Sequence, residues 1–279
     1  MRVLTFSGVL LDTGEMQLEP GFVTEAEKPS GDGEVTVEAL DRGGRALATT
    51  QVPLVVPCGY AAANGAKHPP AVAVGLVDFP EKASGLRVTY DGRTVLEREA
   101  PRPGGEPKVE WPAAIEGPEV TVRWSARVDG TTASLAYSDD GGEAWSPLSL
   151  PGTDEAITFD ARGLPGGKRC VRELVASDGF HTTRSRSPEY QVEPKGWVLW
   201  ILSPAPGATF RTGTPVLLAA QAFHLEERQP ATDPIVWTSS RDGGLGEGAQ
   251  VPATLSPGEH TITAAVAGAS AEVSVTVER

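Results

Sequence analysis

Apolar residues in this chain recur at every second position in short runs, and turn-forming residues punctuate those runs. In "EVTVRWSA", Val120, Val122, Trp124 and Ala126 alternate toward one face, and Val273, Val275 and Val277 do the same at the end of the chain. A period of two is the geometry of a half-buried strand, whose side chains point alternately to the core and to solvent. No stretch of about ten residues joins a helical period to good helix formers. Asp91-Gly92 within "LRVTYDGRTVLERE" and Asp41-Arg42-Gly43-Gly44 are hairpin signals, because these residues tolerate the positive φ of tight turns. The pattern predicts an all-β chain.

At 279 residues the chain suits two or three compact domains. Two proline-rich stretches divide it, "EAPRPGGEPKVEWPAAIEGPE" (Glu99–Glu119) and "PEYQVEPKGWVLWILSPAPGA" (Pro188–Ala208). Proline cannot donate to a strand ladder and so marks strand ends and linkers. The expectation is three tandem β-sandwich domains, 1–106, 107–194 and 195–279, joined by Pro-rich linkers. Each segment has the size of an immunoglobulin-like or fibronectin-III-like sandwich. Trp124, Trp145 and Trp237 are expected to fill sandwich interiors, and "VPCGYAAANGAKHPP" is expected to be the most irregular loop.

The formal net charge is −13. Nucleic-acid binders present a basic face, so neither nucleic acid nor an anionic membrane is an expected partner, and the charge reads as a solubility device. No apolar segment is long enough for membrane insertion. "MRVLTFSGVLLDTGEM" lacks the pattern of a signal peptide, which fits either a cytoplasmic protein or an exported one whose signal has been removed. Cys58 and Cys170 fall in different expected domains and are read as small buried apolar residues.

The runs "VRWSARVDG…LAYSDDGGEAWSPL…VASDGFHTTRSRSPEYQV" resemble the fibronectin-III-like modules appended to secreted bacterial peptidases and other exported hydrolases. The following "ILSPAPGATFRTGTPVLLAAQAF…IVWTSSRDGGLGEG…LSPGEHTITAAVAG…VSVTV" resembles the PKD/immunoglobulin-like module that often comes next. The resemblance covers residues about 118–279. It implies a non-catalytic spacer, adhesion or binding module, secreted or at the cell surface, beside a catalytic domain in a longer precursor. A protein or a polysaccharide would be its partner. "AFHLEERQPATDP" replaces the family's acidic Asp-x-Glu-Asp-Gly stretch, so no calcium site is carried over, and no cofactor is expected.

Several short motifs carry candidate chemistry. Ser138, Asp140, Gly142 and Trp145 in "YSDDGGEAWSPL" have the spacing of the Asp-box turn of sialidase propellers. One copy reads as a structural hairpin, with Asp139 and Asp140 accepting backbone N–H groups, Gly141 and Gly142 at positive φ, and Trp145 returning to the core. "LLDTGE" mimics the loop of aspartic proteases, which pair two such aspartates, so an aspartic-type hydrolase through Asp12 is the enzyme alternative. His68, His181, His224 and His260 form no metal-binding motif; Ser177, Asp178 and His181 are near neighbours without a nucleophile elbow. His224 with Glu226 and Glu227 reads as a solvated polar turn. Trp197 and Trp200 are the candidate ligand or interface residues: packed, they stiffen a joint, and exposed, Trp197 would stack on a sugar in a carbohydrate-binding accessory module. No catalytic, cofactor-binding or metal-ligating residue is expected.

Overall fold

The computed structural model describes residues 1–11, 13–19, 21–27, 32–56, 70–113 and 117–279. Asp12, Cys58 and His68, with most of the loop expected to be irregular, lie outside the described residues. The described residues contain strands and turns but no helix, and hence no helix long and apolar enough to cross a membrane.

The first strands are β1 (Arg2–Leu10), β2 (Met16–Leu18), β3 (Val23–Glu25), β4 (Val35–Leu40), β5 (Ala46–Val52), β6 (Leu54–Val55), β7 (Ala71–Asp78), β8 (Gly85–Tyr90) and β9 (Arg93–Glu99). They form one sheet in the order β2-β1-β7-β6, with β3 also on β1, and a second in the order β5-β4-β8-β9. Alternation places Leu4, Phe6 and Leu10 of β1 opposite Val35, Val37, Leu86 and Val88 in one apolar cluster. The β8–β9 turn holds Asp91 and Gly92 at φ 48° and 68°, the positive pair that a two-residue hairpin needs.

Next come β10 (Lys108–Glu110), β11 (Glu119–Ser125), β12 (Thr132–Ser138), β13 (Ser146–Pro147), β14 (Ala156–Asp160), β15 (Gly167–Ser177), β16 (Thr182–Arg186) and β17 (Tyr190–Val192). Their sheets run β10-β11-β14 and β13-β12-β15-β16, with β17 on β15, around a cluster that includes Val122, Trp124, Leu135, Tyr137 and Leu174. Ala126 was expected on the core face but is exposed, because β11 ends at Ser125 and the chain leaves the sheet.

The last strands are β18 (Trp197–Ser203), β19 (Ala208–Arg211), β20 (Val216–His224), β21 (Gln229–Pro230), β22 (Val236–Ser239), β23 (Gly243–Glu247), β24 (Gln250–Ala253), β25 (Gly258–Val266) and β26 (Ala269–Glu278). Here β20 is flanked by β18 on one side and by β21 and β24 on the other, while the opposing sheet runs β19-β26-β25-β22-β23. Trp237 is fully buried in their shared cluster, and its Nε1 donates to the Gly248 carbonyl at 2.9 Å.

One connectivity recurs three times. A long strand (β1, β11, β20) pairs with a distant one (β7, β14, β24), while the intervening hairpin (β4-β5, β12-β13, β22-β23) joins the other sheet beside β8, β15 or β25. This interleaving of two antiparallel sheets is the immunoglobulin-type sandwich plan, and the all-β sandwich expectation is met. The proline-rich stretches are less linker-like than expected: β10 lies in the first, and β17 and β18 lie in the second.

Truncating Trp237 removes the largest side chain of its cluster and orphans a carbonyl. Trp237→Ala is expected to cost about 3–5 kcal/mol, read as a lower urea midpoint for the transition that exposes residues 197–278.

Candidate functional site

The groups with the most specific geometry lie where one sandwich meets the next. At the first joint the turn between β15 and β16 is shaped by Asp178, whose Oδ1 accepts the Phe180 and His181 amides at 2.9 and 2.8 Å. Its Oδ2 lies 2.9 Å from His181 Nδ1. Side-chain capping of this kind fixes tight turns. Phe180 is thereby sent out of its own sandwich and is fully buried in the first apolar cluster. Its ring centroid is 6.1 Å from that of Phe79, and the Arg98 guanidinium lies 5.9 Å from it, a cation–π distance. Ser177 Oγ donates to the Gly21 carbonyl at 2.6 Å, and the Val23 amide donates to Thr182 Oγ1 at 2.6 Å. Ser177, Asp178 and His181 are therefore joint residues: the serine hydroxyl and the histidine have different partners.

At the second joint the carboxylate of Glu226, in the turn after β20, accepts three backbone N–H groups. Gly166 and Lys195 donate to Oε1 at 2.8 and 2.9 Å, and Gly196 donates to Oε2 at 2.9 Å. Burial works against its ionised form, but the amide bonds outweigh burial and hold its pKa below the ordinary glutamate value. Lys195 reaches the other way. Its Nζ donates to the carbonyls of Ala161 at 2.5 Å, Leu164 at 2.8 Å and Arg162 at 3.3 Å, and burial lowers its pKa. Arg228 completes the joint with a 2.7 Å ion pair to Asp139. Position 166 needs glycine, since a Cβ there would stand 2.4 Å from the Glu193 carbonyl oxygen. The expected solvated turn at His224, Glu226 and Glu227 is thus a bracket between two sandwiches. His224 itself packs edge-on against Trp197, with centroids 5.1 Å apart.

The Asp-box turn adjoins this joint. Ser138 Oγ donates to Asp140 Oδ1 at 2.6 Å and accepts the Gly142 amide at 2.8 Å. Asp140 also accepts the amides of Glu143 at 2.9 Å and Ala144 at 3.0 Å. Led by the Ser138 hydroxyl, these bonds bring the Asp140 pKa down to about 2. Gly141 and Gly142 take φ 85° and 95°. Two expectations for the turn need correction. Asp139 caps nothing here and instead pairs with Arg228. Trp145 does not join the core cluster: it leads into the edge strand β13 and is half-buried under Arg186, whose guanidinium carbon is 5.0 Å from its ring. Arg186 is held there by Glu173, which Arg184 also pairs, each at 2.7 Å.

A serine–histidine–carboxylate group not foreseen from the sequence lies in the third run of strands. Ser239 Oγ and His260 Nδ1 are 2.8 Å apart, Asp242 is 3.7 Å from the same nitrogen, and His260 Nε2 is 2.7 Å from the Ser256 carbonyl oxygen. Both Ser239 and His260 are buried. Ser239 Oγ further accepts the Arg241 and Asp242 amides, each at 3.2 Å, and Asp242 grips Ser256 Oγ at 2.6 Å. With every member engaged in hydrogen bonds, the group ties turns together. Its residues are 3 and 21 positions apart along the chain, a spacing that carries no motif.

Cys170 is buried and free, and burial raises its pKa. Arg172, also buried, has its guanidinium carbon 4.7 Å from the Tyr190 ring and 5.8 Å from the Trp111 ring. Its Nη2 donates to the Pro112 carbonyl at 2.6 Å. The structure separates the two candidate tryptophans: Trp197 is half-buried against His224, whereas Trp200 is exposed on the outer face of β18.

No family model matches this chain, and no curated protein does. Solved structures do. The fibronectin(III)-like modules of Clostridium thermocellum CbhA align at 12% identity over 62% of this chain and 94% of theirs, with a TM-score of 0.24. Dpr2 Ig1-Ig2, solved in complex with DIP-Theta, aligns at 16% identity over 58% of this chain and 90% of that one, with a TM-score of 0.23. The N-terminal four Ig domains of Dscam1 isoform 6.9 align at 11% identity over 98% and 69%, with a TM-score of 0.21. All three scores are low, and the fold class rests on the strand order.

Phe180 belongs to β15–β16 in sequence but to the first cluster in space. Phe180→Ala is expected to cost about 3–5 kcal/mol, with the loss of amide-exchange protection falling on β1, β7 and β8. Asp140 ionises below the unfolded value of about 3.9, so its stabilisation is complete above that value and fades as pH falls toward 2. Asp140→Asn should lower Tm at neutral pH, and the gap to the unmodified protein should close as pH approaches 2.

Proposed function

We propose that the chain is an array of three β-sandwich domains, 1–106, 107–194 and 195–279, held rigidly in line. In this reading it serves as a non-catalytic spacer and binding module of an exported protein, secreted or at the cell surface. Domains in one chain move relative to each other by default unless something fastens them. The observation that carries the reading is that both joints are fastened by groups reaching from one sandwich into the next: Phe180 at the first, and Glu226, Lys195 and Arg228 at the second. A short linker clamped at both ends transmits orientation as well as distance. Such an array would present a partner, or a neighbouring catalytic domain of a longer polypeptide, at a set separation.

The non-catalytic reading draws on the uses to which the reactive-looking groups are put. Ser177, Asp178 and His181 build the first joint, while Ser239 and His260 are buried and, with Asp242, committed to bonds within the turns they join. The charge of −13 suits a protein kept soluble and unaggregated.

Small-angle scattering tests the array. The unmodified chain should fit one narrow conformational distribution. Glu226→Ala combined with Arg228→Ala should broaden it, since charge-assisted bonds at the joint are worth about 2 kcal/mol. A broad distribution for the unmodified chain would overturn the reading.

A further inference from the structure

The outer face of β18, β20 and β24 is uncharged on a chain of net charge −13. Trp200 is 38% exposed there, with Leu202 at 66% and Leu217 at 50%. Gln221 stands directly across from Trp200, and Pro252 across from Leu217. Gln250, exposed on β24, lies across from Ala219 between them. The inward-facing neighbours Leu199, Leu218 and Val251 belong to the core, so the strands beneath this face are fixed. From Gln221 to Leu217 the platform is about 14 Å long at the strand rise of about 3.4 Å per residue. The indole points toward a turn of the neighbouring sandwich: Trp200 Cζ2 lies 4.0 Å from where a Cβ would stand on Gly163. That turn is held by Lys195.

We infer that this face is a binding site for a neutral polysaccharide. An exposed indole on a flat sheet offers an apolar, electron-rich surface that matches the C–H face of a pyranose ring. The two glutamine amides supply both donors and acceptors for hydroxyl groups. A largely apolar lining with a few placed polar groups is the composition of small-molecule sites in general, and an indole, with two side-chain torsions, loses little freedom on binding. The absence of charge on the platform disfavours acidic sugars and ionic protein partners. A second copy of this chain would bring another −13 toward the same face. The inference deepens the binding half of the function proposed above and is independent of whether the joints are rigid.

Affinity electrophoresis against a soluble β-glucan, a galactomannan and a xyloglucan, with polygalacturonate as the charged control, tests it. At least one neutral polymer should retard the unmodified chain and shift its tryptophan fluorescence. Trp200→Ala should weaken that binding by about tenfold or more, about 1.4 kcal/mol or greater. Gln221→Ala should weaken it severalfold, and Trp200→Phe should restore part of it. Trp200 is surface-exposed, so an unchanged Tm for Trp200→Ala separates lost binding from lost fold. Retardation by none of the neutral polymers, or retardation indifferent to Trp200→Ala, overturns the site. Self-association that Trp200→Ala relieves, without polysaccharide binding, overturns it in favour of a protein contact. Scattering from the same samples reports joint rigidity separately, so a failed site and a failed array give different results.

Discussion

The architecture depends on one ionised carboxylate being held by the backbone of its neighbours. Glu226 is partly buried, a position that penalises charge, yet three amides from the adjoining sandwich and the linker converge on it. A carboxylate in such a nest keeps its proton off because each N–H bond favours the charged form. Lys195 answers with an ammonium set among three carbonyls of the opposite turn. Direction comes from the bonds, and an electrostatic joint of this type fixes angle better than a greasy one.

The first joint uses the other strategy. Phe180 enters an apolar cluster and packs tilted against Phe79 beneath Arg98, so burial supplies the attraction and two hydroxyl–backbone bonds supply the register. Two sandwiches of related connectivity are thus fastened to a third by chemically unrelated means. The contrast follows from the turns: Asp178 throws an aromatic outward, while the turn after β20 throws out a carboxylate.

Much of the fold was legible because alternation is local. Val120, Val122 and Trp124 declare their facing within one strand, and Asp91-Gly92 declares its hairpin in two residues. The Asp-box bonds were readable for the same reason, since Ser138, Asp140, Gly142 and Ala144 satisfy each other within a single turn. The direction of Trp145 was not, because it depends on Arg186, which is brought there by a strand far along the chain. The same limit hid the roles of Asp139, Phe180 and Glu226: each has a local sequence typical of loops, and only the packing of one sandwich on another assigns the partner. The Ser239–His260–Asp242 group was invisible on similar grounds, and its bonds to the Asp242 amide and to Ser256 show that proximity of reactive side chains is a matter of turn-tying here.

Phe180 has a bearing on how such a chain could have been assembled. The side chain that completes the first apolar cluster is encoded well beyond the last strand of that sandwich, inside the next one. A cut at the proline-rich stretch would leave a hole in one fragment and an exposed aromatic on the other. Inheritance, duplication or transplantation of these modules would therefore move the first two together.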